Sequence, residues 1–315
     1  MSKTRIVPCF IVFNSLILVC ITSCMSSDSK SSGESFPVLR GRYLGQKPPG
    51  LTPEQFAPRI IPTEGVQHCF PTFSRNGKEV YWMDYDMEAR QGVIMFMRVE
   101  RGYWTAPKVA PFSGEYNDHS PTFSPDSKRL YFVSNRPGGY GRGDIWYVKR
   151  MKRGWSEPVN LGSPPNSERS DLQPSFTSDG TLYFTSEYQG AQWNLGIYRS
   201  RLVDGYYTEA EALDTSINTA DADYTPFIAR DESYLIFASS RPGTRSVETD
   251  LYISYHLPDD SWSEPASLDT VINNGYTVTF PWMSLDGNYL FFDRFNDSTD
   301  VFYWVDSKII KRRDE

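Results

Sequence analysis

The sequence predicts an all-β chain folded as a β-propeller of five four-stranded blades, closed by a strand from its N-terminal side. Three observations carry this. A motif centred on Pro71, Pro121, Pro174, Pro226 and Pro281 recurs at intervals of 50, 53, 52 and 55 residues, and a period of that length holds four short strands. Aromatic residues make up 15% of the chain alongside 22 glycines and 22 prolines, a composition that favours strands and turns over long helices. An unmatched strand-like segment, Leu51 to Ile61, precedes the first repeat, while the fifth repeat ends without a fourth strand. Six blades remain an alternative if two short repeats have been merged.

Within each repeat the elements follow in a fixed order. The first strand holds Phe70-Pro-Thr-Phe-Ser74, Ser120-Pro-Thr-Phe-Ser124, Gln173-Pro-Ser-Phe-Thr177, Thr225-Pro-Phe-Ile-Ala229 or Phe280-Pro-Trp-Met-Ser284. A turn follows at Asn76-Gly77, Asp126-Ser127, Asp179-Gly180, Asp231-Glu232 or Asp286-Gly287, whose residue types accept the positive φ of a tight hairpin. The second strand is continuously apolar (Val80 to Trp82, Leu130 to Phe132, Leu182 to Phe184, Leu235 to Phe237, Leu290 to Phe292), as expected of a strand covered on both faces. A third strand follows at Val93, Asp144, Leu195, Asp250 and Val301. The fourth is expected to begin at an aromatic residue, Trp104, Trp155, Tyr207 or Trp262, in segments that mostly end in proline, which an edge strand tolerates.

The chain is 315 residues long with formal charge −7. Its first 23 residues carry Lys3 and Arg5 and no acid; removing those two cations from the total leaves −9 on the rest, which argues against a nucleic-acid partner. Lys3 and Arg5 precede an apolar run from Ile6 to Val19, then Ile21-Thr22-Ser23-Cys24, the plan of a signal peptide over residues 1–23. The run is shorter than the ~20 residues a membrane span needs. Ile21 to Cys24 resembles the bacterial lipobox, which implies lipidation of Cys24 and a membrane partner held through acyl chains, each buried methylene contributing about 0.8 kcal/mol. Cys9 and Cys20 would leave with the signal, so Cys69 has no disulfide partner in the mature chain. Residues 24–50, rich in Ser, Gly and Pro, read as a lipidated tether, and 51–310 as one propeller domain.

Ser120-Pro-Thr-Phe-Ser-Pro-Asp-Ser-Lys-Arg-Leu-Tyr-Phe132, continued by Ser134-Asn-Arg-Pro-Gly-Gly-Tyr-Gly-Arg-Gly-Asp-Ile-Trp146, resembles the WD40-like propeller repeats of the TolB type, and the resemblance extends from about Pro53 to Trp304. It implies a propeller of the bacterial envelope, where such repeats bind other proteins, form lipoproteins or regulate prolyl oligopeptidase-like peptidases. This chain has no Gly-x-Ser-x-Gly nucleophile elbow, so peptidase chemistry is set aside. The expected location is a lipid-anchored position on the envelope, at the outer membrane.

Candidate ligand residues come from comparing equivalent positions. Three residues before the repeat prolines stand His68, Asp118, Asp171, Asp223 and Val278, with His119 one place further on. These carboxylates and the imidazole could ring the channel mouth, or each Asp could cap its own turn. Loops leaving the second strand add Arg136, Glu187 and Arg241. Arg136 and Arg241 could reach a ligand carboxylate, or pair with Asp144 and Asp250 of their own blades. The recurring Trp104, Trp155 and Trp262 read as blade packing. No catalytic residue, metal site or cofactor is assigned. The expected function is a non-catalytic scaffold for an envelope protein segment or a small-molecule ligand. The alternative is a glycan-active enzyme using Asp118, Asp171, Asp223 or Glu187.

Overall fold

The computed structural model describes residues 36–310 apart from 59, 62–65, 87–88, 188–194, 247 and 296–298, and for 66–70 it describes the backbone. The signal peptide (1–23), Cys24 and the start of the tether lie outside the described residues.

The structure is a five-bladed propeller of antiparallel four-stranded sheets, with helical structure among the described residues limited to two three-residue 3-10 turns. The innermost strands are Val66–Phe73, Asp118–Phe123, Asp171–Phe176, Asp223–Ile228 and Thr277–Met283. Each is followed outward by a second and a third strand, for example Arg129–Ser134 and Asp144–Lys149 in blade two. The second strands are sealed on both faces, with Val80, Trp82, Leu130, Phe132, Leu182, Phe184, Leu235, Phe237, Leu290 and Phe291 fully buried, which is why they read as unbroken apolar runs.

The repeat proline has a structural reason. In every blade the innermost strand bulges there, so that two residues (Ser120 and Pro121 in blade two) oppose one on the second strand (Phe132). A bulge leaves a residue out of the ladder, and proline, lacking an N–H, is tolerated there. The residue before the proline takes φ near +50° in four blades, at Ser120, Gln173, Thr225 and Phe280. The following hairpins turn as expected: Gly77, Ser127, Gly180, Glu232 and Gly287 all have positive φ. Each turn is held by an Asn or Asp accepting from the backbone two residues on, as Asp126 does from Lys128 N.

The fourth strands differ from expectation. Trp104, Trp155, Tyr207 and Trp262 close the hairpin after the third strand, and the edge strand follows Pro107, Pro158, Ala210 or Pro265 as two residues, Lys108–Val109, Val159–Asn160, Glu211–Ala212 and Ala266–Ser267. In three of the four blades proline sets the boundary because it cannot donate to the ladder. The aromatic residues are then free to lock one blade to the one before. Trp155 Nε1 donates to Tyr81 Oη of blade one at 2.9 Å, and Trp262 meets Tyr183 of blade three edge to face at 6.1 Å.

Buried asparagines complete three blades. Asn166, Asn218 and Asn273 each accept from, and donate to, the third-strand residue Ile145, Ile197 or Leu251. They continue the ladder where the edge strand has stopped.

Closure is made by the segment before the first repeat. Glu54–Gln55 pairs antiparallel with the third strand of blade five, Glu54 opposite Trp304 and Gln55 opposite Tyr303. Phe56, 1% exposed, sits edge to face with Phe291 (5.2 Å) and Trp304 (5.3 Å). Residues 36–50, assigned to the tether from composition, lie on the propeller. Tyr43 and Leu44 are buried in the same core, Trp104 donates to Leu39 O and Gly41 O, and Gly50 O accepts from Asp306 N. Composition missed this because two buried side chains decide it within a Gly- and Pro-rich stretch.

Phe56→Ala should destabilise the fold by about 3–5 kcal/mol, more than removal of an exposed aromatic such as Tyr206, which is 80% exposed. Paired chemical-denaturation curves of the two variants check this, and equal midpoints would show that the closing strand carries little of the stability.

Candidate functional site

The three column aspartates are each consumed by their own blade. Asp118, Asp171 and Asp223 are all 0% exposed. Asp118 accepts from Ser113 Oγ at 2.8 Å and Arg136 Nη2 at 2.8 Å. Asp171 accepts from Ser167 N at 2.7 Å, Ser167 Oγ at 2.9 Å and Ser186 Oγ at 2.7 Å. Asp223 accepts from Thr219 N and Oγ1, both at 2.7 Å, from Ser239 Oγ at 2.5 Å and from Arg241 Nη2 at 2.9 Å. Each carboxylate thus clasps the loop leading into its blade to the end of the second strand. Burial pushes Asp118 and Asp171 above the usual carboxylate range, against the pull of these donors.

Arg136 and Arg241 complete two of the clasps. Both pair with the column aspartate, where the sequence suggested Asp144 and Asp250. Those two acids instead bind the loop before the third strand, Asp144 accepting from Tyr140 N and Gly141 N and Asp250 from Arg245 N. Register places both acids equally, since Ser134 lies between Asp118 and Asp144 and Ser239 between Asp223 and Asp250; the outer acid of each pair is taken up by backbone N–H groups, and the arginine turns to the inner one. Each guanidinium also donates to loop carbonyls, Phe112 O or Ile217 O, and lies over an aromatic ring, Phe132 at 4.8 Å or Phe237 at 5.0 Å. In blade five the aspartate is replaced by Val278, and Arg294 binds the carbonyls of Val271 and Ile272.

The remaining sequence candidates fall elsewhere. Glu187 forms an ion pair with Arg142 of the preceding blade. His119 is half-buried beside Ser120 Oγ at 3.0 Å, and burial lowers its pKa to about 4, so it is neutral near pH 7. His68 is placed by its backbone opposite Asp84, and its side chain lies outside the described residues. The structure therefore brings Asp118 to Arg136 and Asp223 to Arg241, but it joins these residues within blades and not across the channel. Among the described residues no three His, Cys, Asp or Glu side chains gather as a metal site.

One acid stands apart. Asp293, on the second strand of blade five, is 1% exposed, and neither carboxylate oxygen has a hydrogen-bond partner among the described residues. Burial, reinforced by Asp300, pushes it well above the usual carboxylate range.

A cavity of about 420 Å3 opens at the other end of the channel. Its wall is built from the ends of innermost strands in blades two to five and from the turns that follow. Asp223 and Ile228 lie at opposite ends of one strand, roughly 17 Å apart, so this mouth is remote from the clasps. Pro174, Pro226, Pro281, Phe227 and Trp282 line the interior, with Ser178, Arg230, Asp231 and Asp286 among the turn residues. The turns converge closely enough for Ser178 N to donate to Arg230 O at 2.7 Å. Sequence reasoning compared the loops at one end only. The same column method applied four residues after each proline finds Arg75, Pro125, Ser178, Arg230 and Leu285.

No protein-family model matches the chain, and no curated protein sequence does. Solved structures do match. A thermostable family-43 glycoside hydrolase superposes with a TM-score of 0.50 at 13% identity, over 78% of this chain and 90% of that one. An α-L-arabinofuranosidase from Lactobacillus brevis gives 0.50 at 12% identity, over 78% and 92%. The likeness is one of fold. The chain also matches a puromycin-hydrolyzing peptidase of Mycobacterium tuberculosis, spanning 28% of its length and 62% of its own, at 15% identity and a TM-score of 0.43.

Three substitutions have stability effects that the geometry sets. Asp223→Ala leaves Arg241 largely buried without its carboxylate and should cost about 3–5 kcal/mol. Asp171→Ala strands only hydroxyl and amide donors and should cost about 1–3 kcal/mol; urea midpoints that reversed this order would argue against the clasps. Asp293→Asn should stabilise the fold by about 1–3 kcal/mol at pH 7. Because the folded pKa of Asp293 is raised, the native state holds its proton more tightly, and the wild type loses stability as pH rises above about 3.9. The advantage of the variant should therefore vanish below pH 4, as melting temperatures across pH 3.5–7.5 would show.

Proposed function

We propose that the chain is a non-catalytic binding module, a TolB-type repeat lipoprotein held on a bacterial envelope membrane through Cys24, which takes a small ligand or protein segment into the cavity at the turn-side mouth. The observation that carries this reading is the commitment of the column carboxylates. Asp118, Asp171 and Asp223 have no exposed surface, and each already accepts two or more hydrogen bonds from its own blade. A glycosidase needs two accessible carboxyl groups flanking its substrate, ~5–5.5 Å apart for retention or ~6.5–9.5 Å for inversion. The cavity, in contrast, is concave, mostly apolar and of the size range that holds small ligands, roughly 300–1,000 Å3.

The test combines chemistry with blockade. Incubated with a broad panel of plant and bacterial glycans, the full chain in detergent should release no product; turnover abolished by Asp118→Asn, Asp171→Asn or Asp223→Asn would overturn the proposal. Ligand-observed NMR on an envelope extract should show signals that broaden with the wild type and not with Ser178→Trp, whose exposed side chain would fill the mouth. Identical broadening by both proteins would place binding elsewhere.

A further inference from the structure

The cavity carries a charge arrangement that narrows its ligand. Arg230 lines the wall and is half-buried. No hydrogen bond or ion pair engages its guanidinium among the described residues, which sets it apart from Arg136, Arg199 and Arg241, each tied to a carboxylate. Arg75 holds the equivalent position in blade one, where it is exposed and lies outside the cavity wall. The blade-one turn is fixed through Arg75 N, which donates to Ser127 Oγ at 2.8 Å.

The acids of the wall are held by other groups and form no ion pair with Arg230 among the described residues. Asp231 accepts from Ser233 Oγ and N within its own turn. Asp286 accepts from Tyr43 Oη and Ser284 Oγ and pairs with Arg42 at 3.2 Å. Burial, the larger cause, and the like charge of Arg75 pull Arg230 below the usual guanidinium range. Holding a half-buried cation without a partner beside an apolar wall is unfavourable unless an anion joins it.

We propose that Arg230 makes this cavity an anion site for a ligand that presents a carboxylate on a ring-shaped or apolar body. This rests on the cavity being the binding site. Guanidinium is planar and donates two parallel N–H bonds, which matches a carboxylate edge. Pro226, Pro281, Phe227 and Trp282 offer the apolar faces against which the body packs. The exposed hydroxyl of Ser178 supplies a polar contact at the rim.

Isothermal titration of the full chain in detergent tests this with two acids and their neutral counterparts: benzoate against benzamide, and glucuronate against glucose. At least one acid should bind about tenfold more tightly than its neutral partner, and which acid does so separates an aromatic from a sugar body. Arg230→Gln should reduce that acid to the affinity of the neutral compound, Arg75→Gln should weaken it less, and Arg230→Lys should fall between. Thermal melts of each variant verify folding. Equal affinity for acid and neutral forms, both lost in Ser178→Trp, would overturn the anion site while leaving the cavity as the binding site. Undiminished acid binding in Arg230→Gln, or binding of neither acid, would overturn it as well, and the cavity reading is then decided by the extract experiment with Ser178→Trp.

Discussion

The ring exists because two residues of the N-terminal segment pair with the last strand. Glu54 and Gln55 supply the outer strand that blade five lacks, so the first and last parts of the propeller share one sheet. Without that pairing the third strand of blade five would present open N–H and C=O groups, the kind of edge that invites association with other chains. The pairing is only two residues long, and its strength comes from what surrounds it. Phe56, Tyr43, Phe291 and Trp304 form one aromatic cluster with ring centroids 5.2–6.2 Å apart, and such contacts add stabilisation beyond the area they bury. The stretch 36–50 belongs to this closure, since Tyr43 and Leu44 are part of the same core.

Around the ring, the same problem is solved repeatedly by different chemistry. Each blade must hold the loop entering it against its own second strand and hold its outer hairpin against the previous blade. In blades two to four the first task falls to a buried aspartate with a Ser or Thr in the preceding loop, strengthened in blades two and four by an arginine. The second falls to an aromatic residue, as where Trp155 bonds to Tyr81. Carboxylates used in this way are poor candidates for chemistry, because every lone pair given to a loop is withdrawn from a substrate. At the turn-side mouth Asp231 and Asp286 hold their own turns, while Arg230 and Ser178 remain available at the wall of a cavity.

The blades, their order and their number were legible in the sequence because they depend on local chemistry. Proline marks the bulge, Asn, Asp and Gly accept positive φ in the turn, and an unbroken apolar run marks a strand covered on both faces. Closure was legible too, since a repeat lacking its last strand and an unmatched strand at the other end imply each other. The edge strands were misplaced by a few residues. Two-residue strands have no periodicity, and the aromatic residue that precedes them is conspicuous for a different reason.

What the sequence determined, then, is the repeat that makes this chain a five-bladed propeller, and the columns by which its loops can be compared. It could not determine which partner each column residue takes. Arg136 stands nearer in sequence to Asp144 than to Asp118, yet it bonds to Asp118, because Asp144 is occupied by the backbone N–H groups of Tyr140 and Gly141. Nor could it reveal that turns from separate blades meet at a mouth lined by Arg230, because Ser178 and Arg230 lie 52 residues apart and come within hydrogen-bond distance only once the blades are assembled. Local geometry is written in short stretches of sequence; convergence across a ring is a property of the assembled sheet stack.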